Sequence, residues 1–233
     1  MTEPAQLRIA PEILDRYPGY RAVVVYAEGV RNGPSDDQSR ALLRVAEERA
    51  RVLFANSPVP EHPHIAAWRA AYGRFGAKPS RFRSSVEALV RRALTDELPP
   101  INRLVDLYNA ISVQYVLPVG GEDRDQLIGD DVLRFASGSE PFETYERGNL
   151  VTTTPEPGEV VWADDLAVTC RRWNWRQCAR TALTEKVENA FFVLDALAPY
   201  SDDDLEAAAA ALRDGLLQLS PGCSIETRRV ERG

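Results

Sequence analysis

Side chains able to exchange a proton near neutral pH are scarce here. His62 and His64 are the two histidines in 233 residues, and they sit together in the proline-rich stretch SPVPEHPHI. A Ser-His-Asp or Cys-His mechanism must recruit one of them, and a multi-histidine metal site is nearly excluded. Cysteine is also thin. Cys170, Cys178 and Cys223 are odd in number and lack a CxxC spacing, which fits free thiols in a reducing cytoplasm better than disulfides or a zinc site. No apolar run approaches the ~20 residues of a membrane span. The opening MTEPAQLRIAPEILDRY carries Glu3 and no apolar h-region, so no signal peptide is expected. Net positive charge is missing as well: 28 basic against 35 acidic residues give −7. That balance argues against phosphate-driven, non-specific coating of nucleic acid, and DNA is not an expected partner.

What is present is the composition of a globular chain, 44% hydrophobic and 27% charged, long enough to bury a large core. The valine-rich YRAVVVYA at 20–27 reads as a buried strand. Ser35 with Gln38 reads as a capping box for a helix to about Phe54, and Ser84 with Glu87 as a second one, opening SVEALVRRAL. Residues 65–75 form a short helix with Trp68, Ala71, Tyr72 and Phe75 on one face. PEHPHI reads as a loop entering that helix, so neither histidine is assigned as a catalytic base. After Pro99-Pro100, periodicity predicts a helix from Ile101 to about Tyr115, and VLPVGGED then changes direction. Short strand candidates follow (VLRFA, PFETY, EVVWA, LAVTC), then AFFVLDAL. Ser201 caps a late helix, and a final short strand follows Gly222. Helices lie mostly in the first half and strands in the second, which predicts an α+β fold over one domain, 1–233, with the late helix and strand occupying 201–233.

Polarity gathers in three places. From Trp68 to Arg103, eight basic residues, among them Arg81, Arg83, Arg91 and Arg92, face three acids. From Arg171 to Lys186 five face Glu185 alone. Two basic islands on an acidic chain suit a bounded anion site; solvated helix faces, with Glu87 and Arg91 as an i,i+4 pair, account for the first equally well. In CRRWNWRQC, an extended backbone points Arg172, Asn174 and Arg176 one way and Arg171, Trp173 and Trp175 the other. The alternative is an arginine ladder satisfied by acids such as Asp164 and Asp165. On the 101–115 helix, Asn102, Asp106 and Asn109 fall at about 100°, 140° and 80° from Ile101, a polar stripe beside the buried one. Loop anchoring suits Asn102, and Asp106 has a backbone turn, Arg91 or Arg92 as alternative partners. Gly120-Gly121 permits close backbone approach to a ligand, or makes an ordinary turn.

These residues carry a resemblance. WRAAYGRFGAKPS from Trp68, SVEALVRR, PINRLVDLYNAIS, LPVGGED, LRFA, GEVVWADD and CRRWNWR together resemble the freestanding B3/B4-domain proteins. Those are similar to the tRNA-binding and editing domain of the phenylalanyl-tRNA synthetase beta subunit. The resemblance covers roughly residues 20–200 and implies the B3/B4 architecture, sheets packed with helices. In bacterial synthetases this domain hydrolyses tyrosine wrongly esterified to the phenylalanine tRNA, around a stretch close to VVD-x-TNY and GQP-x-HAFD. Counted from the shared asparagine, Asn109 matches that Asn, Asp106 the Asp, Pro118 the Pro and Asp123 the last Asp. The family histidine falls on Gly120, and the glycine-rich pocket segment on the chemically different RRWNWR.

The resemblance implies a trans-acting aminoacyl-tRNA deacylase whose partner is the tRNA 3′ end, working without metal or cofactor. An aminoacyl ester is already activated, so an aligned water suffices. Asn109 and Asn174 are candidates to position that water or the terminal ribose, and Asp106 or Asp123 to orient them. The N–H groups of Gly120 and Gly121 are candidates for the oxyanion, and Arg172 and Arg176 for the terminal phosphate. Arg81, Arg83, Arg91 and Arg92 are candidates for the RNA backbone. The alternatives are a non-catalytic module binding tRNA or an amino acid, which glycine at the family histidine favours, and a protein acting on a small molecule without tRNA. The first two require a pocket between 101–123 and 171–176.

Overall fold

A computed structural model describes residues 5–230. The chain runs through β1 (Leu7–Ile9), α1 (Pro11–Arg16), β2 (Tyr20–Glu28), α2 (Asp37–Leu53), α3 (Pro63–Arg74), α4 (Ser85–Thr95) and α5 (Arg103–Tyr115). Strands follow: β3 (Val119–Asp123), β4 (Asp131–Phe135), β5 (Phe142–Glu146), β6 (Asn149–Thr153), β7 (Val160–Ala163), β8 (Val168–Arg171), β9 (Arg176–Gln177) and β10 (Asn189–Leu197). Then come α6 (Asp202–Leu219) and β11 (Ser224–Arg229). Two sheets carry the fold, one ordered β11-β2-β10-β3 and the other β1-β4-β7-β8-β9, with β5-β6 as a separate hairpin.

β2 and β10 show no apolar–polar alternation because both their faces are covered. Val23, Val25 and Ala27 pack with Leu104, Leu107, Leu212 and Leu216 of α5 and α6, whereas Ala22, Val24 and Tyr26 turn to a second cluster containing Trp68, Trp162 and Trp173. On β10 the same parity sends Ala190, Phe192 and Leu194 to the α5–α6 side and Phe191, Val193 and Asp195 to the other.

The helix starts follow local capping chemistry, with two shifts from expectation. Asp36, not Ser35, caps α2: its carboxylate accepts from the Ser39 N–H (2.8 Å) while Ser39 Oγ accepts from the Asp36 N–H (3.2 Å). Asn102 caps α5 through the Val105 N–H (3.0 Å), so that helix begins two residues after Ile101 and Asn102 is a loop anchor. Ser84 and Ser201 cap α4 and α6 as expected.

Candidate functional site

The chain changes direction at Val116 (φ 51°), and VGGED then forms β3, so Gly120-Gly121 is strand and not a turn. The strand pairs with β10 in the register Gly120↔Val193 and Gly121↔Phe192. Glycine is required at 121 because a Cβ there would stand 2.6 Å from the Phe192 ring. Facing this strand, RRWNWR is not one extended strand. β8 ends at Arg171, Arg172 and Trp173 take left-handed φ values of 48° and 68°, and the chain returns as β9. The alternation expected for extended backbone is thereby lost. Arg171 and Arg172 both turn to the buried Glu159: Arg171 Nε and Nη2 donate to it at 2.9 and 2.8 Å, and the Arg172 N–H at 3.2 Å. Asp164 pairs with Arg180 (2.8 Å) instead. Trp173 plugs the core against Tyr17, Tyr20 and Trp68, with ring centroids 4.9, 4.8 and 5.2 Å away.

Between β3, β10, α5, α4 and this turn lies a cavity of about 280 Å³, at the small end of ligand pockets, which run from about 300 Å³ upward. It brings together four of the expected residues, Asn109, Gly120, Asn174 and Arg176. Asn174 is held at both ends of its amide. Its Oδ1 accepts from the Tyr72 hydroxyl (2.9 Å), and its Nδ2 donates to Asp195 (3.2 Å), which also accepts from the Tyr20 hydroxyl (2.6 Å). The second amide hydrogen is left for a ligand. The Asn109 carboxamide, half-buried in the lining, has no partner among the described residues. Arg176 is exposed, stacked on Trp175 at 4.5 Å and 3.8 Å from Glu146.

The other expected residues lie elsewhere. Asp106 is fully buried outside the cavity lining, where its carboxylate accepts from the Ile101 N–H (2.8 Å) and Ser39 Oγ (2.7 Å), tying α5 to α2. It therefore orients neither asparagine, and neither Arg91 nor Arg92 is its partner. Asp123 accepts from the Asp125 N–H (3.0 Å) and shapes the turn after β3. The Gly121 carbonyl accepts from Gln177 Nε2 (3.0 Å), and only Gly120 borders the cavity. Arg172 is buried, wedged over Phe82 (3.7 Å) and Trp175 (4.4 Å), so it is not a free phosphate ligand. Of the first basic island, Arg91 joins Arg69 on the buried Glu87 (2.9 and 2.8 Å), and Arg92 lies 3.5 Å from Asp96. Arg81 and Arg83 stay exposed with no acid in ion-pair range among the described residues; Arg81 lies over Phe82 at 5.1 Å. His64 is a core residue. Its Nε2 accepts from Trp68 Nε1 and the Leu197 N–H (3.0 and 3.2 Å), so Nδ1 carries the proton to the Val116 carbonyl (2.8 Å). Burial lowers its pKa to about 4.

Sequence reasoning missed the acids. Glu122, Asp131 and Asp195 all line the cavity and are at most 3% exposed. Burial pushes Glu122 up to about 7, against the pull of the Thr181 hydroxyl that donates to it and of Arg180. Asp131 is raised well above the usual carboxylate range by burial and then by the charge of Glu122. Burial raises Asp195 to about 6. The same surroundings raise the Cys170 thiol, by burial first and these acids next, so it is a protonated side chain and no nucleophile. The signal for Asp195 was its solitary charge inside AFFVLDAL; Glu122 followed directly on the glycine pair, and Asp131 opened VLRFA.

This arrangement has a measurable consequence for stability. A carboxyl at 4.5 in the unfolded chain and about 7 when folded takes up a proton on folding. The stability it contributes is complete below 4.5 and is lost as pH rises through 7. Glu122→Gln is expected to raise the melting temperature at pH 8 by several degrees, at about 2–4 °C per kcal/mol, with the gain shrinking towards pH 5. Thermal denaturation at both pH values checks this, and a melting temperature unchanged at pH 8 contradicts it.

The chain matches the B3/4 domain family over residues 67–207, more than half its length, and belongs to that family, with its α+β architecture. One solved structure similar to it is an N-terminal fragment of the phenylalanyl-tRNA synthetase beta-subunit from Pyrococcus horikoshii. The TM-score is 0.49 and the identity 11%, over 97% of this chain and 54% of that one, so the chain spans about half the fragment's length. No curated protein matches. Among the described residues no helix is long and apolar enough to cross a membrane.

Proposed function

We propose that this chain hydrolyses an amino-acid ester from the 3′ end of a tRNA, acting in trans. The observation that carries the reading is one cavity bordered by a buried carboxyl whose pKa burial raises, an anchored carboxamide and an unpartnered one. Glu122 accepts a proton from water, Asn109 and the free Asn174 hydrogen hold that water and the ester, and water oxygen attacks the carbonyl carbon. The ester C–O bond then breaks, and the departing ribose oxygen takes the proton back from Glu122, yielding the free amino acid and an uncharged tRNA end. A group with pKa near the working pH is suited to both transfers. Arg176 in the lining, with the exposed, acid-free Arg81 and Arg83, supports a short phosphate contact. The tRNA partner and a cytoplasmic setting belong to the same proposal.

A panel of misacylated tRNAs tests it. At least one ester is expected to turn over above the uncatalysed rate, with Asn109→Ala and Asn174→Ala each slowing it about 100-fold while tRNA binding persists. No turnover of any ester overturns the reading. One observation favours a binding module instead: the lining holds no histidine and its one thiol is protonated. That reading expects tRNA or amino-acid binding by the wild type without hydrolysis.

A further inference from the structure

We infer that the cavity recognises its ligand through an ammonium group received by Glu122 and Asp131, an inference that rests on the cavity being the ligand site. Both carboxyls are buried in the lining, and neither has a cation in ion-pair range among the described residues. Arg180 is held by Asp164 (2.8 Å), and Arg176 lies exposed on Trp175. Their hydrogen bonds are also incomplete. Both oxygens of Asp131 share one donor, the Thr169 hydroxyl, at 3.1 and 3.2 Å, and Glu122 takes the Thr181 hydroxyl with the Gln177 amide as a second donor beside it. A carboxylate accepts about four hydrogen bonds, so capacity remains on both. Asp195, by contrast, already has Tyr20 and Asn174.

Arg180 acts on both carboxyls only from a distance, and buried carboxylates without an ion-pair partner are unfavourable, so a ligand bringing one positive charge and several N–H donors relieves charge and hydrogen bonding together. An ammonium brings both in the smallest volume. A metal ion fits less well, because no group of three His, Cys, Asp or Glu among the described residues is disposed to hold one. Trp162 and Trp173 line the same space, and aromatic rings favour an organic cation. For an amino acid or its ester, the ammonium is either the α-amino group or one at the end of the side chain.

Calorimetric titration of the full chain with four non-hydrolysable amides separates the cases: norleucinamide, lysinamide and the Nα-acetyl form of each. Nα-acetyl-norleucinamide, which has no ammonium, is expected to bind at least tenfold more weakly than lysinamide. Binding kept by norleucinamide assigns the α-ammonium; binding kept by Nα-acetyl-lysinamide assigns the side chain. Glu122→Gln and Asp131→Asn, each checked for an intact melting transition, are expected to lose about tenfold for the charged probe and little for the uncharged one. Equal binding of all four probes, binding of none, or variants indistinguishable from wild type overturns the inference. The two readings fail separately. Turnover of aminoacyl-tRNA indifferent both to Nα-acetylation and to loss of a side-chain ammonium removes the ammonium site and leaves hydrolysis standing, whereas ammonium-dependent binding without turnover does the reverse.

Discussion

Glu159→Ala is expected to lower the stability of the chain by about 3–5 kcal/mol, the cost of leaving buried charge without its partner. Glu159 stands just before β7, almost fully buried, and takes three N–H groups from Arg171 and Arg172. Arg172 Nη2 lies a further 3.4 Å away. Alanine strands two buried guanidinium groups at once. It also releases the left-handed pair Arg172 and Trp173, whose backbone costs about 1–3 kcal/mol per residue and persists only where the surroundings hold it. Denaturant titration measures the loss. Glu159→Gln, which keeps the shape and one acceptor but not the charge, should lose less. A change below about 1 kcal/mol for alanine would show that the pair is not a constraint on the turn.

Trp173→Ala is expected to cost a similar ~3–5 kcal/mol, through the void left in the core. The ring has edge-on contacts with Tyr17, Tyr20 and Trp68 and belongs to the cluster that joins both sheets. It also lines the cavity, so its removal enlarges the space beside Asn174 and Asp195. The melting temperature should fall by more than about 6 °C at ~2–4 °C per kcal/mol, with Trp173→Phe recovering part of the loss. An alanine variant as stable as wild type would mean the turn is carried by Glu159 alone.

Much of the architecture was legible because local chemistry decided it. Ser84 and Ser201 announced two helices, the valine run announced β2, and the apolar stripe of 101–115 announced α5 to within two residues. The site was legible in part. Asn109, Gly120, Asn174 and Arg176 converge on one cavity, as a pocket between 101–123 and 171–176 requires. Asn174 arrives there by a different route, since it sits in a turn that alternation cannot describe. The cause is Glu159, 12 residues before Arg171, whose pull on two successive arginines is invisible to any local pattern.

The sequence by itself determined the α+β class, the family resemblance and the shortage of histidine. Those properties reside in composition, spacing and short-range capping, which act within a few residues. Only the tertiary structure decided which charges matter. Asp106 and Arg172 had the right chemistry and are consumed in packing. Glu122, Asp131 and Asp195, scattered over more than seventy positions, meet in one cavity lining where burial raises the pKa of all three. Burial is a property of the assembled chain, and it raises the pKa of three acids whose sequence neighbours announce no such shift.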